Sequence, residues 1–301
     1  MPPADQPEAP WDTSPWPEER PFALCLSHDV DRVRKSYQYV THLRKPGALR
    51  RALRLPKNPY WNFERILEME KGFDVKSTFF FLQETKKLNL RAPREWGLNL
   101  GRYRFHDPEV ARAIRMIDSA GWEVGLHGSF ESFRDFARLS GEKHDLESVL
   151  GHPVAGVRQH YLNLEIPRTW QIQKQAGLSY DASLGLKAGV GYDGIPLFPF
   201  EPFQDEFVVL PLAVMDGALF STVSDTSAQL TALTRIVEQA EAKHALLAVL
   251  WHQRFLNPAE FPNENSVYES FLRLALEREP WVATSAQVAD WWRTHVGGKG
   301  H

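Results

Sequence analysis

The chain has a single cysteine, Cys25, so no internal disulfide can form. Cys25 lies in an apolar run and reads as a small buried hydrophobe. No stretch approaches the roughly 18 consecutive apolar residues of a membrane-spanning helix, so no membrane insertion is expected. Positive charge is not in excess either: the formal net charge is −3 over 301 residues. A nucleic-acid binder usually presents a basic face, and no nucleic-acid partner is expected here. The one basic run, Arg44–Lys57, reads as a solvated helix or loop. An apolar export segment is also lacking near Met1, which points to a cytoplasmic location. What is present is ordinary globular composition, 43% hydrophobic and 24% charged. That is enough for a full core in one large α/β domain.

Residues 1–21 hold seven prolines and several acids, and read as an extended, disordered arm. The domain is expected over 22–296, with an insertion at about 32–62 that Pro46 and Pro56 break up. Short apolar runs predict strands at Phe22–Ser27, Lys76–Leu82, Trp122–Leu126, Val154–Val157, Leu178–Tyr180, Phe207–Pro211, Ala245–Leu250 and Trp281–Thr284. Between them lie helical segments: Phe63–Lys71 stopped by Gly72, Asp107–Ser119, Glu142–Leu150, Pro167–Ala176, Thr226–Lys243, Asn265–Arg278 and Ser285–Trp292. The tail Gly297–His301 reads as frayed. Strand–helix alternation means a parallel sheet with crossover helices. We expect a deformed (β/α) barrel of about seven parallel strands.

In a parallel barrel the strand C-termini share one rim. Asp29, Asp31, His127, Arg158, His160, Asp181 and His252 all stand just after predicted strands, so they would converge. Asp29 and Asp31 are two apart and leave the strand on the same side. Two carboxylates that close repel unless a cation or an arginine sits with them. His127 and His160 offer neutral imidazole nitrogens, and carboxylate plus imidazoles suits zinc or a similar first-row metal. Such an ion polarises a carbonyl and lowers the pKa of bound water. His28 should point away from Asp29 and reads as a structural hydrogen-bonder. His106, His144, His152, His244 and His295 read as surface or cap residues, and Trp291–Trp292 as packing. Asp216 follows a strand and supports the rim at most. Tyr161 and Trp251 flank candidate residues, as pocket walls or as core.

Six segments carry a family resemblance: Ser27–Asp31 (SHDVD), Lys76–Leu82 (KSTFFFL), Gly121–Ser129 (GWEVGLHGS), Arg158–Tyr161 (RQHY), Tyr180–Gly185 (YDASLG) and Leu250–His252 (LWH). In this order, over roughly Phe22–Trp292, they resemble the motifs of the polysaccharide deacetylase (NodB-homology) family, the carbohydrate esterase family 4 type. The resemblance implies Asp29 as general base, held ionised by Arg158. It implies Asp31 and His127 as metal ligands, and His252 as general acid oriented by Asp181. It makes the backbone N–H of Tyr161 a candidate oxyanion donor; Tyr161 and Trp251, by their positions, are the candidates for substrate binding.

This sequence departs from the family pattern. The family's adjacent Asp-Asp is Asp29-Val30-Asp31 here. Four residues after His127 stands Glu131, not a second histidine, and His160 takes the place of a proline. Either His160 or Glu131 completes the metal shell, His160, next to Arg158, being favoured, or no metal binds tightly. Asp-x-Asp variants of the wider family include allantoinase-like members. The expected cofactor is a divalent metal, zinc first, with cobalt or nickel as alternatives. The expected function is metal-dependent removal of an N-linked acyl group, acetyl first, from an amino sugar or polysaccharide precursor. The alternatives are an allantoinase-like amide hydrolase on a small molecule and a non-catalytic carbohydrate-binding relative. The expected partner is a carbohydrate or an acylated amino-sugar substrate.

Overall fold

The computed structural model describes residues 13–35, 58–84, 98 and 100–296. Residues 36–57 of the expected insertion, the basic run Arg44–Lys57 and the tail Gly297–His301 lie outside the described residues. The strands are β1 (Ala23–Val30), β2 (Thr78–Leu82), β3 (Glu123–Gly128), β4 (Gly156–Gln159), β5 (Tyr180–Asp181), β6 (Val208–Val209), β7 (Val214–Met215), β8 (Leu246–Leu250) and β9 (Trp281–Val282). The helices are α1 (Phe63–Gly72), α2 (Pro108–Ser119), α3 (Phe136–Leu150), α4 (Arg168–Gln175), α5 (Asp216–Thr222), α6 (Thr226–Lys243), α7 (Pro262–Leu276) and α8 (Ser285–Trp291).

All the strand pairings are parallel, in the order β6-β5-β4-β3-β2-β1-β8-β7. β9 pairs with the first two residues of β1, while β2 pairs with its last four. β6 and β7 are two ends of one extended segment. Leu210 N donates to Asp181 O and Leu212 N to Leu184 O on one side; Ala213 N donates to Ala248 O on the other. The segment therefore joins both edges of the curled sheet, giving the expected deformed barrel.

Period-two alternation sorts the side chains into two layers. On β1, Ala23 and Cys25 pack inside with Phe80, Tyr180, Ala248 and Leu250. Leu24, Leu26 and Val30 pack outside against the helix layer, with Val124, Val157, Phe271 and Leu272. Continuing the inner row gives Ser27, Asp29 and Asp31. Burial pushes the Cys25 thiol up to about 12, with Ser285 Oγ 3.4 Å away. It is an inert interior group, as expected.

Several element ends differ from the sequence expectation. α3 begins two turns earlier, where the Asp135 side chain accepts from Arg138 N as an N-cap. α1 runs through Gly72, and the left-handed turn after it is made by Asp74 at φ 56°. The described part of the N-terminal arm is docked. Trp16 is buried against Trp281 and Trp292 (ring centroids 5.9 and 5.7 Å), and its indole N–H donates to His244 O at 2.7 Å. Trp291 Nε1 donates to Pro15 O at 2.9 Å. These residues cover the barrel floor, so the expected disordered arm does not extend to them. Among the described residues no helix is long and apolar enough to cross a membrane.

Inside the barrel Gly156 faces the Tyr180 ring, whose hydroxyl donates to Glu123 Oε1 at 2.6 Å. A Cβ at Gly156 would stand 2.0 Å from Tyr180 Cζ. Gly156→Ala should therefore lower unfolding stability by about 1–3 kcal/mol or more, as overpacking does. Combining it with Tyr180→Leu should cost less than the sum of the two single losses in chemical denaturation. Strict additivity would show that the strand shifts to escape the ring.

Candidate active site

β1 delivers Asp29 at its penultimate position and Asp31 just beyond its end, both on the inner row. Arg158, on β4, reaches across the barrel. Its Nη1 donates to Asp29 Oδ1 at 2.9 Å and to Ser27 Oγ at 2.8 Å, and its Nε to Ala182 O at 2.9 Å. The guanidinium lies over the Phe80 ring, 4.4 Å from the centroid. Burial alone would raise the pKa of Asp29, but His127 and Arg158 outweigh it and hold the carboxyl below its ordinary value. Burial likewise works against the charge on Asp31, yet His252, His127, Arg254 and His160 together hold it well below the carboxylate range.

His127 closes β3. Its Nδ1 donates to Arg158 O at 2.8 Å, which turns Nε2 inward. Nε2 stands 3.5 Å from Asp29 Oδ2 and 3.4 Å from Asp31 Oδ1. His160 follows β4 with Nε2 3.8 Å from Asp31 Oδ1 and Nδ1 3.7 Å from Glu84 Oε2. Burial pushes His160 down to about 4, so its imidazole is neutral near pH 7. Ligand atoms of Asp31, His127 and His160 lie within 4.8 Å of one another. Asp31 Oδ1 is buried without a hydrogen-bond donor. A carboxylate oxygen facing two inward imidazole nitrogens, with no donor of its own, is an arrangement that a cation fits. These three residues could hold a metal. Glu131, the alternative ligand, is ion-paired with Arg134 (Nε–Oε2 3.1 Å) and lies outside this cluster.

His252 follows β8. Its backbone N–H and its Nδ1 both bond Asp216, the ring at 2.7 Å to Oδ1, and Nε2 stands 3.6 Å from Asp31 Oδ2. Asp216 is fully buried at the start of α5. The expectation that Asp181 orients His252 is corrected. Asp181 points out of the barrel toward α4 and accepts from Gln173 Nε2 (2.7 Å), Trp170 Nε1 (3.3 Å), and Ser183 N and Oγ (2.9 and 2.6 Å). Trp251 is corrected as well. Next to the inward His252, it must point outward, and it is fully buried against Phe220 and Tyr268 rather than lining a pocket. His28 is outward too, bonded to Glu70 Oε1 and Trp251 O at 2.7 Å each.

A pocket of about 290 Å³ opens over the cluster. Asp29, Asp31, His127, His160, His252 and Arg254 line it, with Tyr161, Leu162, Lys187 and Met215 around them. Tyr161 is 59% exposed, in the left-handed region at φ 60°, and its ring packs edge-on against Phe130. Arg254, not anticipated from sequence, donates to Asp31 Oδ2 at 2.8 Å.

With this geometry in hand, the solved structures can be compared. A putative polysaccharide deacetylase from Mycobacterium smegmatis superposes with TM-score 0.62 at 17% identity, covering 92% of both chains. The PuuE allantoinase gives 0.62 at 17%, covering 94% of both. A probable polysaccharide deacetylase from Pseudomonas aeruginosa PAO1 gives 0.62 at 15%, covering 94% of this chain and 95% of that one. The chain has the NodB-like deacetylase fold. No protein-family model matches its sequence, nor does any curated protein.

Two measurements test the assignments within this NodB-like site. Asp216→Asn should change the tautomer balance of His252 seen by nitrogen NMR, whereas Asp181→Asn should leave it as in the wild type. An unmoved His252 signal in Asp216→Asn would remove Asp216 as its partner. In elemental analysis, His160→Ala should lose metal while Glu131→Gln keeps it; the opposite result would transfer the third ligand to Glu131.

Proposed function

We propose that the protein is an amide hydrolase that removes an N-acyl group, acetyl first, from a single acylated amino sugar or a chain end. One observation carries this. An ionised carboxylate, Asp29, and a carboxylate-backed histidine, His252, line the same pocket as the Asp31–His127–His160 cluster. Amide hydrolysis needs a base for water, a polarised carbonyl and a proton for a poor amine leaving group.

Each residue suits one of these needs. Asp29 is the base: Arg158 occupies Oδ1, which leaves Oδ2 for a water proton. Asp31, His127 and His160 would hold a divalent ion, zinc first, with cobalt or nickel as alternatives. A bound ion of this kind supplies a polarised acyl carbonyl and a more acidic water. His252 is the acid. Asp216 accepts from Nδ1 and orients the ring, so Nε2 is the atom that faces the departing nitrogen. The exposed Tyr161 ring, at the pocket mouth, offers a face for a sugar, and its backbone N–H is a candidate donor to the oxyanion.

The pocket volume, near the lower end for small-molecule sites, supports a substrate about one ring in size. The same volume favours, as the second reading, a small cyclic or linear amide of the kind an allantoinase takes. A carbohydrate-binding relative without activity would need the walls but not Asp29 and His252. The cytoplasmic location is kept as part of this proposal.

Acetate release from N-acetylated mono- and oligosaccharides, beside ring opening of a cyclic ureide, separates the two enzyme readings. Asp29→Asn should lower turnover by on the order of a hundredfold or more while metal content is kept. Near-normal turnover in Asp29→Asn would remove it as the base. Failure of both substrate classes in the metal-loaded protein would favour the binding relative.

A further inference from the structure

We propose that Arg254 weakens divalent-cation binding at Asp31, His127 and His160, so that the centre loads and empties reversibly. The proposal rests on the metal reading above and extends it to the regulation of that centre.

Arg254 lies two residues past His252, in the short turn Gln253–Leu256 that follows β8. The carboxylate of Asp31 is divided between two claims. Its Oδ2 accepts from Arg254 Nη1 at 2.8 Å. Its Oδ1 faces His127 Nε2 at 3.4 Å and His160 Nε2 at 3.8 Å. A cation held by Oδ1 would therefore share one carboxylate with a guanidinium. Arg254 also packs over the Phe255 ring, 4.8 Å from the centroid.

Two effects oppose each other here. A hydrogen bond from an outer group can orient a metal-binding carboxylate and strengthen the site. A full positive charge on the same carboxylate withdraws donor strength and repels the ion, most strongly where water is scarce. Arg102 Nη1 already holds the backbone oxygen of Asp31 at 2.9 Å, which limits how much orientation Arg254 has to add. The charge effect is what Arg254 adds.

In the metal-free protein the same contact is favourable. Asp31 is a largely buried carboxylate, and a buried charge without a partner is strongly destabilising. Arg254 supplies a permanent counter-charge, so the empty centre remains folded. Its presence narrows the free-energy difference between the empty and loaded states from both sides.

The test uses the full chain and two ions, zinc and cobalt, titrated by calorimetry into wild type, Arg254→Gln and Arg254→Lys. Arg254→Gln should bind about tenfold to a hundredfold more tightly, the range over which outer groups move metal affinity. Arg254→Lys, which keeps the charge, should stay near wild type. Without metal, Arg254→Gln should melt below wild type, and added zinc should raise its Tm by more than it raises that of wild type. If Arg254→Gln folds only with metal, zinc below the wild-type Kd should restore it. Equal or weaker binding by Arg254→Gln, or no restoration, overturns the proposal and leaves the metal reading standing. No binding by any of the three proteins overturns both.

Discussion

The bond between Arg158 and Asp29 is the constraint around which the rim is built. Arg158 starts from β4 and Asp29 from β1, with β3 and β2 between them in the sheet. Their contact spans the barrel mouth and is buried on both sides. Burying either charge alone is costly, and breaking such a pair typically costs about 3–5 kcal/mol. Arg158 also donates to Ser27 through Nη1 and to Ala182 through Nε. Three strand ends thus converge on one planar group. The backbone oxygen of the same residue then fixes the tautomer of His127. Asp29 and His127 are both positioned by a single residue of β4.

Strand parity explains much of what the sequence made legible. Asp29 and Asp31 are two apart and share the inner face; His28, between them, goes outward to Glu70. The same parity rule applied to the end of β8 puts Trp251 outward as soon as His252 is inward. Asp181 follows the inward Tyr180, so its side chain belongs to the helix layer, where Trp170 and Gln173 of α4 meet it. In both cases strand parity alone fixes the side on which the residue lies.

Other parts of the site were not legible, because they depend on how the barrel closes. Asp216 follows a two-residue strand, and nothing local reveals that this strand pairs with β8 and so stands beside His252. The extended segment changes neighbours between Leu212 and Ala213, so its pattern matches no single sheet face. Arg254 lies in a turn, where spacing does not fix direction. The choice between His160 and Glu131 turned on local geometry. Glu131 begins a short turn in which Arg134 is within reach, and it is drawn into that surface pair. His160 instead follows β4 directly and inherits the inward direction of the rim.

The cluster also determines what happens when no cation is bound. The Nδ1 of His127 is committed to a carbonyl oxygen, so a neutral ring presents a lone pair to Asp31 Oδ1 and Asp29 Oδ2. Lone pair against carboxylate is unfavourable, and two species can relieve it: a metal ion or a proton. Burial opposes a charge on His127, yet Asp29 and Asp31 prevail and raise its pKa above the ordinary imidazole value. His160 behaves differently, since burial dominates and keeps it neutral. A cation entering the cluster would compete with a proton on His127. Either a proton on His127 or a cation in the cluster would relieve the same repulsion. Asp31, shared with Arg254, stays charged in either case.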